Sequence, residues 1–145
     1  MFEENMAEYT GAKYAVAVDN CTNALRMCLD YCDVKGKNVR VPDRTYVSVA
    51  QAVKQAGGNL VIEDFDWKGV YLLAPFPIID SAKRLTSGMY VPGHLMCLSF
   101  GIKKPLKIGK GGMVLTDDKK AYVARNDAPW RLSKTCGRPS RMPRL

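Results

Sequence analysis

The sequence predicts an α/β fold in which helices cover a mostly parallel sheet. Short apolar runs that are typical of buried strands alternate with segments whose apolar residues recur at helical spacing. Glycines and prolines stand at the boundaries of these segments, as they do in domains built from alternating strands and helices. With 145 residues, the chain is long enough for one domain with a real hydrophobic core.

Four segments have the pattern of helices. Each carries apolar residues three or four positions apart, and a capping residue or a glycine marks one of its ends. They are, in order, residues 2–9, a helix that opens at Asn20 or Thr22, residues 45–56, and a helix that follows Asp117 and Asp118. The second helix opens directly after a strand, so its free N–H groups and its dipole favour an anion, phosphate above all. A plain cap without a ligand fits the same pattern.

Seven apolar runs have the pattern of strands. Each is short and is bounded by glycine, proline or polar turn residues. They are, in order, residues 14–18, 36–41, 60–62, 69–73, 76–79, 95–100 and 113–116. Ligands of open α/β sheets bind at the carboxyl ends of the strands, so we expect polar residues that follow several of these runs to meet there.

The net charge of +8 is concentrated at the C-terminal end of the chain. Residues 130–145 contain five basic residues and no acidic residue, which leaves a net charge of +3 for the rest. We expect residues 1–128 to form the folded domain and residues 129–145 to form a basic, poorly ordered tail. No aromatic residues are interleaved with the basic ones beyond Trp130, so nucleic acid is not the expected partner.

The cysteines and the hydropathy indicate the compartment. Five cysteines are present without metal-binding spacing, so we expect free thiols in a reducing cytoplasm. No apolar run approaches the roughly 20 residues that span a bilayer. Glu3 and Glu4 make the N-terminus acidic, unlike a secretory signal. We therefore predict a cytoplasmic protein that does not bind membranes, and we predict no metal site.

A lysine-rich stretch between the last two predicted strands is the best candidate for chemistry. Four lysines at positions 103, 104, 107 and 110 precede Gly111 and Gly112. A lysine held at the end of a rigid element can serve as an amine nucleophile. On this stretch alone, a solvated, lysine-rich hairpin loop is the favoured interpretation. Asp80, which follows the strand at residues 76–79, is either a ligand at a strand end or an ordinary turn aspartate.

Four blocks resemble the DegT/DnrJ/StrS family of sugar aminotransferases, which use pyridoxal phosphate and have the aspartate aminotransferase (type I) fold. The blocks occur in the family's order and read EYTGAKYAVAVDNCTNAL at residues 8–25, VPDRTYVSVAQA at 41–52, FPIIDSA at 76–82 and SFGIKKPLKIGKGG at 99–112. The resemblance implies a three-layer α/β/α sandwich, an abridged version of the family's large domain. The segment between Asp64 and Asp80 is shorter than in the family, and the resemblance leads us to expect a chain without the family's small C-terminal domain.

The resemblance also implies roles for individual residues. Lys104, five positions after Ser99, would be the lysine that forms the Schiff base with pyridoxal 5'-phosphate. The other matched positions would contact the cofactor: Cys21, Thr22 and Ser99 at the phosphate, Asp80 at the pyridine nitrogen, and Tyr46 and Lys83 at the ring. A core position on the helix at residues 45–56 is the alternative for Tyr46.

The function implied by the resemblance is transfer of an amino group from glutamate to a nucleotide-linked keto sugar by a homodimer. One alternative is an inactive or partner-dependent fragment of the family that still binds pyridoxal phosphate. The other alternative is a basic protein that associates with nucleic acid through its tail.

Overall fold

The computed structural model describes residues 1–124 and contains each predicted helix and strand. In chain order the elements are α1 (Phe2–Thr10), β1 (Tyr14–Val18), α2 (Cys21–Tyr31), β2 (Asn38–Pro42), α3 (Val47–Gln55), β3 (Asn59–Glu63), β4 (Tyr71–Leu72), β5 (Ile78–Asp80), β6 (Leu95–Ser99), β7 (Gly112–Thr116) and α4 (Lys119–Ala124). The predicted basic tail and its boundary with the domain lie outside the described residues.

The main sheet is mixed, which corrects the expectation of a mostly parallel sheet. Its five strands lie in the order β1-β7-β6-β5-β4, and only β5 and β6 run parallel in it. The β6–β7, β4–β5 and β1–β7 pairs are antiparallel, while β2 and β3 form a separate parallel pair. A short turn connects β4 to β5, and a hairpin loop connects β6 to β7. Neither connection contains a crossover helix, which parallel pairing of consecutive strands usually needs, so both pairs are antiparallel.

Helices cover both faces of the main sheet, so the predicted three-layer α/β class is confirmed. Strand side chains alternate between the two faces, and both sets are buried. The face toward α2 and α3 carries Val16, Val18, Ile78, Leu95, Cys97 and Val114. The face toward α1 carries Ala15, Ile79, Met96, Leu98, Met113 and Leu115. Burial of each large apolar side chain contributes roughly 1.5–3 kcal/mol relative to exposure.

The caps of two helices decide questions that the sequence left open. Asn20 is the N-cap of α2, because its side chain accepts a hydrogen bond of 2.8 Å from the backbone N–H of Asn23. Tyr46 has an extended backbone and caps α3, which therefore begins at Val47 rather than at residue 45. Within residues 1–124, no helix combines the length and the hydropathy that crossing a membrane requires.

Candidate active site

An open cavity of about 350 Å³ brings together four of the predicted site residues. Tyr46 contributes from the start of α3, Asp80 from the end of β5, Lys83 from the segment after β5, and Lys104 from the β6–β7 loop. The other residues that line this cavity are Arg44, Thr45, Trp67 and Ala82. The cavity thus holds an amine and a carboxylate, the two groups that the sequence singled out as chemical.

Asp80 is nearly buried, with 6% of its surface exposed, and both of its carboxylate oxygens accept hydrogen bonds. Oδ1 accepts from the backbone N–H of Ala82 at 2.9 Å, and Oδ2 accepts from the hydroxyl of Tyr71 at 2.7 Å. Burial raises the pKa of Asp80, while these hydrogen bonds and the charges of the two cavity lysines oppose the rise. A carboxylate in this setting gains from a cationic partner in the cavity.

Tyr71 was not singled out from the sequence, yet it is the neighbour that holds Asp80. The two residues are directly opposite each other in the β4–β5 ladder. The oxygens of Tyr71 and Thr45 lie 2.7 Å apart, so the phenol sits between a hydroxyl and a carboxylate. The sequence does contain a signal for this contact. Two strand-like runs follow each other with a proline between them, and a tight turn at that point pairs the two strands so that Tyr71 lies opposite Asp80.

Trp67 is the second residue that the sequence did not single out. Its ring packs edge-on against Tyr71 with centroids 4.8 Å apart, and its Nε1–H donates to the backbone oxygen of Arg44 at 2.9 Å. The ammonium nitrogen of Lys83 lies 5.0 Å from the centroid of the Trp67 ring. Trp67 therefore contacts two other lining residues, Arg44 and Lys83, and also packs against Tyr71.

Lys104 differs from the other lysines of its loop. It is half-buried and lines the cavity, whereas the lysines at positions 103, 107 and 110 are exposed. The backbone N–H of Lys104 donates to the oxygen of Gly101 at 3.0 Å, which closes a turn directly after β6. The three exposed lysines therefore fit the interpretation of a solvated loop, whereas Lys104 lies at the cavity.

The predicted phosphate contacts form a corner at the start of α2 and are not among the residues that line the cavity. Cys21 is the first residue of α2, and the hydroxyl of Thr22 donates to Ser48 at 2.8 Å. Ser99 ends β6 and pairs with Gly112, whose Cα lies against the backbone of Asn20 and Cys21. The sheet therefore brings Ser99 to the same corner as the helix start.

The thiol of Cys21, at the start of α2, is close enough to the cavity for the charges of Asp80 and Lys104 to act on it. Burial raises the pKa of Cys21, the charge of Asp80 raises it further, and the charge of Lys104 lowers it. Four cysteines are free thiols in the described part of the chain, at positions 21, 28, 32 and 97. Cys136 lies outside the described residues.

Tyr46 is not a core residue, so the core alternative for it is wrong. Its side chain is 75% exposed, and it lies at the cavity wall ahead of α3. Lys83 is also exposed, over Trp67. Both side chains remain free to contact a molecule in the cavity.

Comparison with known proteins shows the family. Residues 1–75, half of the chain, match the model of the DegT/DnrJ/EryC1/StrS aminotransferase family. The chain belongs to this family. The 3-amino-5-hydroxybenzoate synthase of Amycolatopsis mediterranei (strain S699) is 32% identical over 127 residues, which cover 86% of this chain and 32% of the relative. The GDP-perosamine synthase of Escherichia coli O157:H7 is 29% identical over 164 residues, covering 83% of this chain and 45% of that enzyme.

The fold is also that of solved aminotransferases. A putative sugar aminotransferase from Streptococcus pneumoniae, solved in its PLP form, superposes with a TM-score of 0.64 at 16% identity. The match covers 82% of this chain and 45% of that protein. The matched segments span 32% and 45% of the length of these two curated relatives, which is less than half of each.

Proposed function

We propose that this chain binds pyridoxal 5'-phosphate and acts in an aminotransferase that moves an amino group from glutamate to a nucleotide-linked keto sugar. The observation that carries the proposal is that Asp80 and Lys104 line one cavity. Family membership supports the reaction class, and the PLP form of the Streptococcus pneumoniae relative supports the cofactor.

The chemistry of the groups present fits this cofactor. Its aldehyde requires an amine, its pyridine nitrogen an acid or carboxylate, and its phosphate a site of backbone N–H groups. The half-buried amine of Lys104, the buried carboxylate of Asp80 and the first turn of α2 are groups of these three kinds. Bound pyridoxal phosphate would supply a carbonyl that takes up and returns an amino group, and a ring that withdraws electrons.

Lys104 and Asp80 would do the chemical work of this chain. Lys104 would hold the cofactor through its amine and, once released, would move a proton at the substrate carbon. Asp80 would pair with the protonated ring nitrogen, and its burial strengthens such a pairing because the surrounding dielectric is low.

The remaining predicted residues would bind and orient the cofactor. The hydroxyls of Thr22 and Ser99 and the backbone at Cys21 would hold the phosphate, with the dipole of α2 adding attraction for its charge. The exposed ring of Tyr46 would cover one face of the pyridine ring, and Lys83 would lie beside that ring.

The proposed substrates are supported by the relatives of the chain rather than by the shape of the cavity. The name of the GDP-perosamine synthase relative supports a nucleotide-linked sugar as the acceptor, and glutamate is the donor that we propose. The positively charged residues at the cavity, Arg44 and Lys83, suit substrates that carry carboxylate or phosphate groups.

We place the working protein in the cytoplasm as a homodimer. Apolar side chains are exposed near the cavity, at Val47 beside Tyr46 and at Ile102 beside the Lys104 turn, with 65% and 75% of their surface exposed. Such residues support contact with a second copy of the chain. Sedimentation equilibrium tests the dimer, and a monomer at all concentrations would contradict it. Cell fractionation tests the compartment, and recovery of the protein outside the cytosolic fraction would contradict that placement.

The test of cofactor binding compares two neighbouring lysines. Purified wild-type protein mixed with pyridoxal phosphate should develop a visible absorbance band, and borohydride reduction should fix the cofactor to the peptide that contains Lys104. Lys104→Ala should lose the band and the modification, and the exposed neighbour provides the control, since Lys103→Ala should keep both. A band that persists in Lys104→Ala would refute the assignment.

A turnover measurement separates the proposed aminotransferase from an inactive or partner-dependent cofactor-binding chain. If the chain is active, addition of glutamate to the loaded protein should release 2-oxoglutarate. A Lys104-dependent band without release of 2-oxoglutarate would favour the alternative.

A further inference from the structure

Tyr71 and Asp80 form a buried, hydrogen-bonded pair beside the cavity. They are cross-strand partners in the antiparallel β4–β5 ladder, so their side chains lie on the same face of the sheet. Asp80 lines the cavity, whereas Tyr71 is not among the residues that line it. Asp80, to which the hydroxyl of Tyr71 donates a hydrogen bond, therefore connects Tyr71 to the cavity.

The side-chain hydrogen bonds of Tyr71 form a chain of donors that ends at the carboxylate of Asp80. A phenol has one proton, and Tyr71 donates it to Oδ2 of Asp80 at 2.7 Å. The hydroxyl of Thr45, 2.7 Å from the phenolic oxygen, must then donate to Tyr71. Trp67 packs edge-on against the same ring. The phenol is thus held by its ring and by its oxygen, and it has little freedom to turn away from Asp80.

The two oxygens of Asp80 can still serve a ligand. Oδ1 accepts from Ala82 N–H and Oδ2 accepts from Tyr71, but each carboxylate oxygen can accept more than one hydrogen bond. The existing bonds fix the rotation of the carboxylate, and Asp80 is among the residues that line the cavity.

We propose that Tyr71, supported by Thr45, is a positioning residue that orients Asp80 and stabilises its charged form for a cationic ring nitrogen in the cavity. The inference rests on the proposed function only for the identity of that cation. The Thr45–Tyr71–Asp80 hydrogen bonds prepare the carboxylate before any ligand arrives. The segment between β3 and β5 supplies Tyr71, and α3 follows directly after Thr45 and Tyr46.

Several other ionisable groups act on Asp80 and must be kept constant in a test. Lys104 approaches from the β6–β7 loop and Lys83 from the segment after β5. Cys21 at the start of α2 and Cys97 on β6 also lie close enough for the charge of Asp80 to raise the pKa of their thiols. Tyr71→Phe leaves these groups in place and removes only one hydroxyl, while the ring that contacts Trp67 remains.

The experiment is a carboxyl ¹³C NMR titration of Asp80 in the chain without cofactor, with the signal assigned by its loss in Asp80→Asn. Tyr71→Phe should raise the pKa of Asp80, because the charged form loses a hydrogen bond. Tyr90→Phe is the matched control. Tyr90→Phe also removes two hydrogen bonds, because the Tyr90 hydroxyl accepts from the Asp117 N–H and donates to the His94 oxygen, and neither partner is Asp80. The control should leave the pKa of Asp80 unchanged.

A second measurement uses pyridoxal phosphate itself. Tyr71→Phe should weaken its binding about threefold or more, and Tyr90→Phe should not. If Tyr71→Phe does not fold, Thr45→Val replaces it and should shift the pKa of Asp80 in the same direction by less. An unchanged Asp80 pKa in the folded variant, or an equal rise in Tyr90→Phe, would overturn the inference. The titration contains no cofactor, so failure of the proposed function, seen as the absence of a Lys104-dependent band, is distinguishable from failure of this inference.

Discussion

The Cα of Gly112 lies against the carbonyl group of Asn20, where β7 begins and α2 is capped. A methyl group added to Gly112 would fall 2.5 Å from the carbonyl carbon of Asn20 and 2.6 Å from the backbone nitrogen of Cys21. These are backbone atoms at the start of a helix, so they cannot move away by a rotamer change as the end of a flexible side chain can. Only glycine allows β7 to pass this close to the proposed phosphate corner.

We expect Gly112→Ala to destabilise the fold by about 1–3 kcal/mol, because the clash forces β7 and α2 apart. It should also weaken binding of pyridoxal phosphate, since the start of α2 must shift. Urea unfolding measures the first effect and cofactor titration the second. Gly101→Ala is the control, because its added methyl would lie at an ordinary 3.7 Å from Lys104 Cγ. Unchanged stability in Gly112→Ala would contradict the close approach.

Asp80→Asn should make the cofactor-free chain more stable near neutral pH. Burial raises the pKa of Asp80 above its ordinary value of 3.8, so the folded state binds this proton more tightly than the unfolded state. Ionised Asp80 therefore lowers the free energy of unfolding. This loss of stability is absent below the pKa of Asp80 in the unfolded chain and grows as the pH rises through its pKa in the folded chain. Asparagine removes it, and the gain should therefore shrink as the pH falls toward 4.

The same Asp80→Asn variant should bind pyridoxal phosphate about tenfold more weakly or worse, because a charged partner for the ring nitrogen is lost. Urea unfolding at several pH values and cofactor titration give the two readouts. A variant that is less stable than the wild type at neutral pH would show that the hydrogen bonds from Tyr71 and Ala82 outweigh the cost of burial.

Ser81→Ala should stabilise the chain by up to about 1 kcal/mol. Ser81 is 1% exposed, and its Oγ has no hydrogen-bond partner in the described structure. Removing an unsatisfied buried hydroxyl removes its desolvation cost. Thermal unfolding is the measurement, and Ser48→Ala is the comparison that should destabilise, since Ser48 accepts a hydrogen bond from Thr22. A loss of stability in Ser81→Ala would reveal a partner for this hydroxyl.

The fluorescence of Trp67 should report on the cavity. The chain has two tryptophans, at positions 67 and 130, so Trp130→Phe leaves Trp67 as the only tryptophan, and excitation on the red side of tyrosine absorption selects its emission. Pyridoxal phosphate in the cavity should quench this emission, because Trp67 lines the cavity and the bound chromophore accepts its energy. Lys104→Ala in the same background should reduce the effect at equal cofactor concentration. Equal quenching with and without Lys104 would place the cofactor elsewhere.

The helices and strands could be predicted because their signals are local. The continuous apolar run of β1, the Asn20 cap and the left-handed Gly11 at the end of α1 are each signals that span only a few residues. The apolar spacing predicts a start for α3 that is two residues early, because the extended backbone of Tyr46 leaves no trace in that spacing.

The sequence by itself determined the elements and, through the spaced motifs, the candidates Lys104 and Asp80. Only the tertiary structure decided which strands pair and in which direction. Pairing depends on how short each connection is and on which faces can be buried together, and neither is encoded in the period of one segment. That is why the mixed sheet was not foreseen, and why Tyr71 became a partner of Asp80 only when β4 lay beside β5.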